Sequence, residues 1–205
     1  GRTGELALDV TISGVHDAVL TAISLAISVV LGPVVGPLLL LVAGVLVATR
    51  NRAAAIVLVV TTIIAWLSVG VGKVIYARQR PPGAQLHALS VELGRDSFPS
   101  GHVAFAVAVA GGAILALHVA ARPTRWAWIL GVALAVTVAA SRLYLGVHYL
   151  GDVVASFLFA GGTMLVLSAV VVALDRHRLL PGTRRGDAAL SPGRAAEEPG
   201  RPRTR

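Results

Sequence analysis

Arg142, His148 and Asp152 stand in one short stretch, SRLYLGVHYLGD, residues 141–152, between two long apolar runs. His148 and Asp152 are four apart, so a helix beginning here puts both on one face about one turn apart. A carboxylate so placed takes the proton of one imidazole nitrogen and leaves the other as a nucleophile. Arg142 adds a planar fork of donors that matches phosphate oxygens. Taken alone, the stretch also reads as a polar loop whose charges merely stop two helices.

Two further clusters offer complementary chemistry. Lys73 and Arg80, the latter followed by Pro81, are seven apart, about two turns if helical, so they could share one side. Their plainer role is as snorkelling anchors at a helix end. Pro99-Ser100-Gly101-His102 opens an apolar run. There Ser100 is a natural N-cap, and Gly101 lets a ligand approach the backbone. The free N–H groups of such a first turn form an anion site, with His102 beside it. A capped helix with an interfacial histidine is the simpler alternative.

The elements that must position these groups are membrane helices. Of 205 residues 56% are hydrophobic and only 14% charged, with a mean hydropathy of +0.79. So little charge cannot cover a soluble domain of this size, which makes the chain an integral membrane protein. Its fold class is all-α, a multi-pass transmembrane helical bundle. The net charge of +8 does not line one face, so no nucleic acid partner is expected. There are no cysteines, which excludes disulfide and thiolate chemistry.

Spans are expected at 34–49, 53–72, 101–121, 126–140 and 153–174. Residues 18–31, too short to cross, read as a helix in the interface or against the bundle. The organisation expected is therefore an N-terminal interfacial segment at 1–33, a catalytic membrane domain at 34–174, and a disordered basic tail at 175–205. The turn at Arg50 and Arg52, the turn at Arg122 and Arg125, and the tail hold 12 of the 18 basic residues. They are expected on the cytoplasmic side, with the three polar clusters facing outward. Five crossings put the start of the chain outside, and a sixth helix upstream of Gly1 would return it inside.

Together the clusters bring three cations, a helix N-terminus, two histidines and a carboxylate to one face. Lys73…Arg80-Pro81, Pro99-Ser100-Gly101-His102 and Ser141-Arg142…His148…Asp152 fill, in order, the signature K-x6-R-P, P-S-G-H, S-R-x5-H-x3-D. In this the chain resembles the type 2 phosphatidic acid phosphatase (PAP2, lipid phosphate phosphatase) family, whose signature is shared with vanadium haloperoxidases. The resemblance covers about residues 34–174.

What the resemblance implies is metal-independent hydrolysis of a lipid phosphomonoester or pyrophosphate, with no cofactor. His148 would be the nucleophile and form a phosphohistidine, with Asp152 fixing its tautomer. His102 would protonate the leaving oxygen and then activate water. Lys73, Arg80, Ser100, Gly101 and Arg142 would hold the phosphoryl oxygens. The substrate would be a lipid phosphate (polyprenyl diphosphate, phosphatidic acid or phosphatidylglycerophosphate) with membrane lipids as the other partners. The location would be the cell (inner) membrane, with the site on the extracytoplasmic face.

The same residues would suit a vanadate-binding oxidase, but the transmembrane composition argues strongly against one. The alternatives are transfer of phosphate to another lipid and a non-enzymatic anion- or lipid-binding membrane protein. Elsewhere, Arg78 reads as a rim charge and Asp96 as a solvated loop acid. His16 and Asp17 read as interfacial polarity, His87 as loop, His118 as inner boundary, and His177 as part of the basic tail. Gly111-Gly112 and Gly161-Gly162 are expected to permit close helix packing.

Overall fold

A computed structural model of the chain describes residues 5–14, 17–82, 88–90, 96–177 and 179–180, with side chains from residue 9 onward. His16, His87 and nearly all of the expected disordered tail fall outside the described residues. Among the described residues seven helices follow one another: α1 Glu5–Ser13, α2 Ala18–Val30, α3 Val35–Ala48, α4 Arg52–Tyr76, α5 Gly101–Val119, α6 Arg125–Tyr144 and α7 Leu150–Arg176. The described residues form no strand, only an isolated bridge between Gln79 and Asp96.

Helix α5 is the axis of the bundle, packed by α4, α6 and α7. It is apolar around its whole circumference, as a buried helix must be. Val103, Ala104, Ala106 and Ala108 are fully buried. Small residues let neighbours close on it. A Cβ on Gly111 would meet Met164 of α7 at 2.6 Å, and one on Gly112 would collide with Thr62 and the Leu58 carbonyl of α4. Gly161-Gly162 behaves differently from the expectation of close packing, because Cβ atoms there would meet nothing within 4 Å. Helices α6 and α7 diverge at that level and leave an apolar groove of about 700 Å³ floored by α5. On the outer helices, Leu41, Leu46, Leu130, Leu158 and Leu165 are exposed, as lipid-facing residues would be.

Among the described residues four helices (α4, α5, α6 and α7) are long and apolar enough to cross a membrane. The expected span at 34–49 needs correction. Helix α3 has only 14 residues, roughly 21 Å of rise, too short for a hydrocarbon core of about 30 Å. It passes as a span only together with α2, to which it is bent by 63° across a short break. Residues 18–30 are therefore one arm of a bent helix pair, and that arm packs on α6.

Candidate active site

Helix endings place the site residues. Helix α4 runs to Tyr76, so Lys73 sits in its last turn. Ala77 then enters the left-handed region, φ 40° and ψ 38°, and the chain turns back. Lys73 and Arg80 are therefore not two turns apart on one helix, as their spacing suggested. The reversal at Ala77 brings both to the same cavity. Ser97 anchors the returning segment, its N–H donating to Arg78 O at 2.8 Å.

The turn between α6 and α7 follows from Gly146. Its φ of 67° is open to glycine without strain. Gly146 N donates to Leu143 O at 3.0 Å and Val147 N to Arg142 O at 3.3 Å, the double closure of a Schellman ending. Ser141 and Arg142 therefore lie on α6 rather than in a loop. His148 precedes α7, whose N-cap is Tyr149. Asp152, at the third helical position, reaches back and accepts the Tyr149 N–H through Oδ2 at 3.0 Å. The four-residue spacing thus works through a cap rather than along a helix already formed.

The Pro99–His102 segment is tied to that turn. Ser100 N donates to Asp152 O at 3.3 Å, and Ser156 Oγ lies 3.0 Å from Ser100 O and 2.7 Å from Asp152 O. Trp66 Nε1 of α4 donates to Gly101 O at 3.2 Å. Ser100 occupies the N-cap position, but its hydroxyl makes no capping bond. That Oγ is buried and has no hydrogen-bond partner among the described residues.

These endings surround a cavity of about 330 Å³ lined by Lys73, Arg80, Asp96, Gly101, His102 and His148 on its polar side, and by Leu31, Pro33, Trp66, Leu67, Val69 and Gly70 on its apolar side. Both histidines thus border one space. A Cβ on Gly101 would meet nothing within 4 Å, so the backbone of the first α5 turn is open there. Lys73 Nζ donates to Asp96 O at 3.0 Å. Asp96, expected to be a solvated loop acid, therefore lines the cavity and engages a cation through its carbonyl.

The tautomer of His148 follows from its neighbours. Arg80 Nη1 lies 3.3 Å from His148 Nε2 and donates to Val147 O at 3.0 Å. Because a guanidinium can only donate, that contact requires a lone pair on Nε2. The proton is then on Nδ1, which faces Asp152 Oδ2 at 3.5 Å. This is longer than a well-formed hydrogen bond, so the pair stands in ion-pair contact. His148 and Asp152 are both buried.

Two groups lie elsewhere than the sequence suggested. Arg142 is fully buried and is not among the residues lining the cavity. Its Nη2 donates to Ser28 Oγ at 2.6 Å and to Ser24 O at 3.1 Å, both on α2. Arg78, expected at the rim, donates to Asp152 Oδ1 at 3.0 Å with its guanidinium 4.0 Å from the centre of the Tyr149 ring. Sequence reasoning missed Ser24, Ser28 and Trp66 as parts of this region. Asp17, Thr21, Ser24 and Ser28 recur at helical spacing, and that stripe was the available signal.

No group of three or more His, Asp or Glu side chains placed to hold a metal occurs among the described residues. The PAP2 superfamily model matches residues 54–176. An undecaprenyl-diphosphatase of Sulfolobus acidocaldarius is 36% identical over 115 residues, 55% of this chain and 53% of that protein. The chain thus spans about half the length of that curated relative. The crystal structure of a transmembrane PAP2 type phosphatidylglycerolphosphate phosphatase from Bacillus subtilis superposes with a TM-score of 0.69. It is 22% identical, with 86% of this chain and 89% of that one covered, a likeness of fold. With more than half of its length matched, and the three polar segments inside or at the edge of helices that form one cavity, the chain belongs to the PAP2 superfamily.

Proposed function

We propose that this protein is a membrane-embedded, metal-independent lipid phosphate phosphatase acting foremost on a polyprenyl diphosphate. The observation that carries the reading is a single cavity bordered by both His102 and His148, two cations and an apolar wall. Lys73 and Arg80 suit the negative phosphoryl oxygens, and Leu31, Trp66 and Leu67 suit the start of a hydrocarbon tail. The relative that is an undecaprenyl-diphosphatase favours a polyprenyl diphosphate over a glycerophospholipid.

In this reading His148 Nε2 attacks phosphorus as the bond to the leaving oxygen breaks. His102 gives that oxygen a proton. Water, losing a proton to His102, then attacks the phosphohistidine, and phosphate leaves with the imidazole restored. Asp152 holds the Nδ1 proton throughout. Lys73, Arg80, the Gly101 N–H and Ser100 stabilise the charge spread over the oxygens, and Arg142 supports the same region from behind the cavity wall. The basic turns and tail, read as cytoplasmic, support an extracytoplasmic site in the cell membrane.

The test is phosphate release by purified protein from undecaprenyl diphosphate, phosphatidic acid and phosphatidylglycerophosphate, with chelator present and with His148→Ala alongside. Release that survives chelator and vanishes in the variant is expected. Release that requires a divalent ion, or that the variant retains, overturns the proposal. Appearance of the phosphate on a second lipid instead of in solution would make the protein a transferase.

A further inference from the structure

Helix α2 lies outside the stretch matched by the family model, yet it carries a polar stripe directed at α6. Asp17 and Thr21 hold the Tyr144 hydroxyl: Asp17 N donates to it and Tyr144 in turn donates to Asp17 O, both at 3.0 Å, and Thr21 Oγ1 lies 2.9 Å away. One and two turns further on, Ser24 and Ser28 meet Arg142. Residues 17, 21, 24 and 28 share one helical face. The stripe therefore clamps α2 along the end of α6 that carries Arg142.

Ser28 is the point where this clamp reaches two segments at once. Its hydroxyl donates to Ser24 O at 3.0 Å, which uses its single proton and aims a lone pair at Arg142 Nη2, 2.6 Å away. Its carbonyl lies in the last turn of α2, where helical carbonyls lose their backbone donors. Gly32 N, the donor an unbroken helix would supply, turns to Val29 O instead. His102 Nε2 stands 3.1 Å from Ser28 O, and a carbonyl can only accept. The contact therefore places a proton on the histidine nitrogen at the α2 end of the cavity.

We propose that Ser28 is a positioning residue which fixes the Arg142 fork and the His102 ring relative to each other, so that α2 is part of the catalytic machinery. This rests on the phosphatase reading for its kinetic consequence, but its anchoring of an anion site can be read without turnover. The break after α2, bent by 63° toward α3, frees the Ser28 carbonyl. Leu31 and Pro33 beside it line the cavity.

The decisive comparison is Ser28→Val against Ser28→Thr, near-isosteric side chains that differ by the hydroxyl. Two readouts are taken in detergent: turnover of a lipid phosphate, and the rise in melting temperature caused by orthovanadate, which mimics the phosphoryl group. Ser28→Val is expected to lower kcat by about 10- to 100-fold, the scale of a displaced catalytic geometry, and to lose most of the vanadate shift. Its melting temperature without vanadate should stay near that of the parent. Ser28→Thr should restore both readouts to within about threefold. Ser168→Ala, whose hydroxyl bonds only its own helix at Leu165 O, should behave as the parent.

Equal behaviour of the valine and threonine variants, whether both active or both impaired, overturns the proposal. Ser28→Ala answers the same question should the valine variant not fold. If the parent binds vanadate but hydrolyses no lipid phosphate, the phosphatase reading fails, and the vanadate shifts still decide the role of Ser28. A parent that neither binds vanadate nor turns over overturns both.

Discussion

Arg78 Nη1 donates to Asp152 Oδ1 at 3.0 Å, and the opposite oxygen of the same carboxylate faces His148 Nδ1 at 3.5 Å. The carboxylate that orients the histidine is thus itself oriented, from a segment some seventy residues earlier in the chain. Tyr149 contributes twice. Its N–H bonds Oδ2, and its ring lies under the Arg78 guanidinium, which limits the rotamers open to the arginine.

Removing Arg78 should therefore slow the reaction without touching any group at the phosphorus. Arg78→Ala leaves one oxygen of a fully buried carboxylate without that cation, and Asp152 is free to rotate away from the imidazole. A fall in kcat of about 10- to 100-fold is expected, with a smaller change in KM. Arg78→Lys should recover only part of the loss, because an ammonium keeps the charge but neither stacks flat on Tyr149 nor donates from a fixed fork. Steady-state phosphate release measures both. Parent-like kcat in Arg78→Ala would return the residue to the rim.

Asp152→Asn separates the charge of the carboxylate from its shape. Oδ2 faces both Tyr149 N and His148 Nδ1. An amide that keeps its oxygen there turns its NH2 on the Arg78 donor. One that puts its NH2 there gives up the Tyr149 bond, offers an N–H to Nδ1 and favours the proton on Nε2, the proposed attacking nitrogen. Loss of about 10⁴-fold in kcat, comparable with tautomer inversion in other histidine dyads, is expected. The bound phosphate is the second readout. Rapid quench in alkaline detergent, which preserves the acid-labile P–N bond, with radiolabelled substrate should trap label on the parent and none on His148→Ala. Label on the His148 variant would be fatal to its role as nucleophile.

How much of this was readable beforehand varies from residue to residue. The three polar segments, their convergence and the helical class follow from residue type and span length. Gly146 marks the end of α6, since few other residues tolerate its backbone. Lys73 and Arg80 converge for a different reason from the one their spacing suggests. The reversal depends on Ala77 adopting φ 40°, which alanine does not advertise. Ser24 and Ser28 were hidden because a serine in an apolar helix so often returns its hydroxyl to its own backbone, and Ser28 does so while still engaging Arg142. Arg78 looked like a rim charge because its partner, Asp152, is remote in sequence.

Close packing between α4 and the Pro99 segment offers a test of how tightly the site is held. A Cβ on Gly72 would stand 2.7 Å from Pro99 Cδ, 2.9 Å from Pro99 Cγ and 3.2 Å from Phe159 Cζ. Those are ring atoms with little freedom to yield. Gly72→Val should therefore push the segment bearing Ser100, Gly101 and His102 away from α4, costing about 1–3 kcal/mol by overpacking. Activity should fall with melting temperature in detergent. Gly70→Ala, whose added Cβ meets nothing within 4 Å, should leave the melting temperature unchanged, and a drop there equal to that of Gly72→Val would dispose of the packing argument.

Arg80 is the cation placed nearest the proposed nucleophile, with Nη1 shared between Val147 O and His148 Nε2. The first contact holds the turn that carries His148, and in the proposed reaction the second occupies the lone pair until a phosphoryl group arrives. When it does, the guanidinium has only to pivot from nitrogen to a phosphoryl oxygen, keeping its hold on the turn through the carbonyl. Lysine reaches one of these acceptors at a time. Arg80→Lys should therefore lose about 10- to 100-fold in kcat/KM despite unchanged charge, and Arg80→Ala about 10²–10³-fold, as for deletion of one donor at a developing negative charge. The two variants are compared by kcat/KM and by vanadate inhibition. Vanadate should weaken in step with the transition state, and inhibition that stays at the parent level while kcat/KM collapses would mean that Arg80 serves the fold of the turn and not the phosphoryl group.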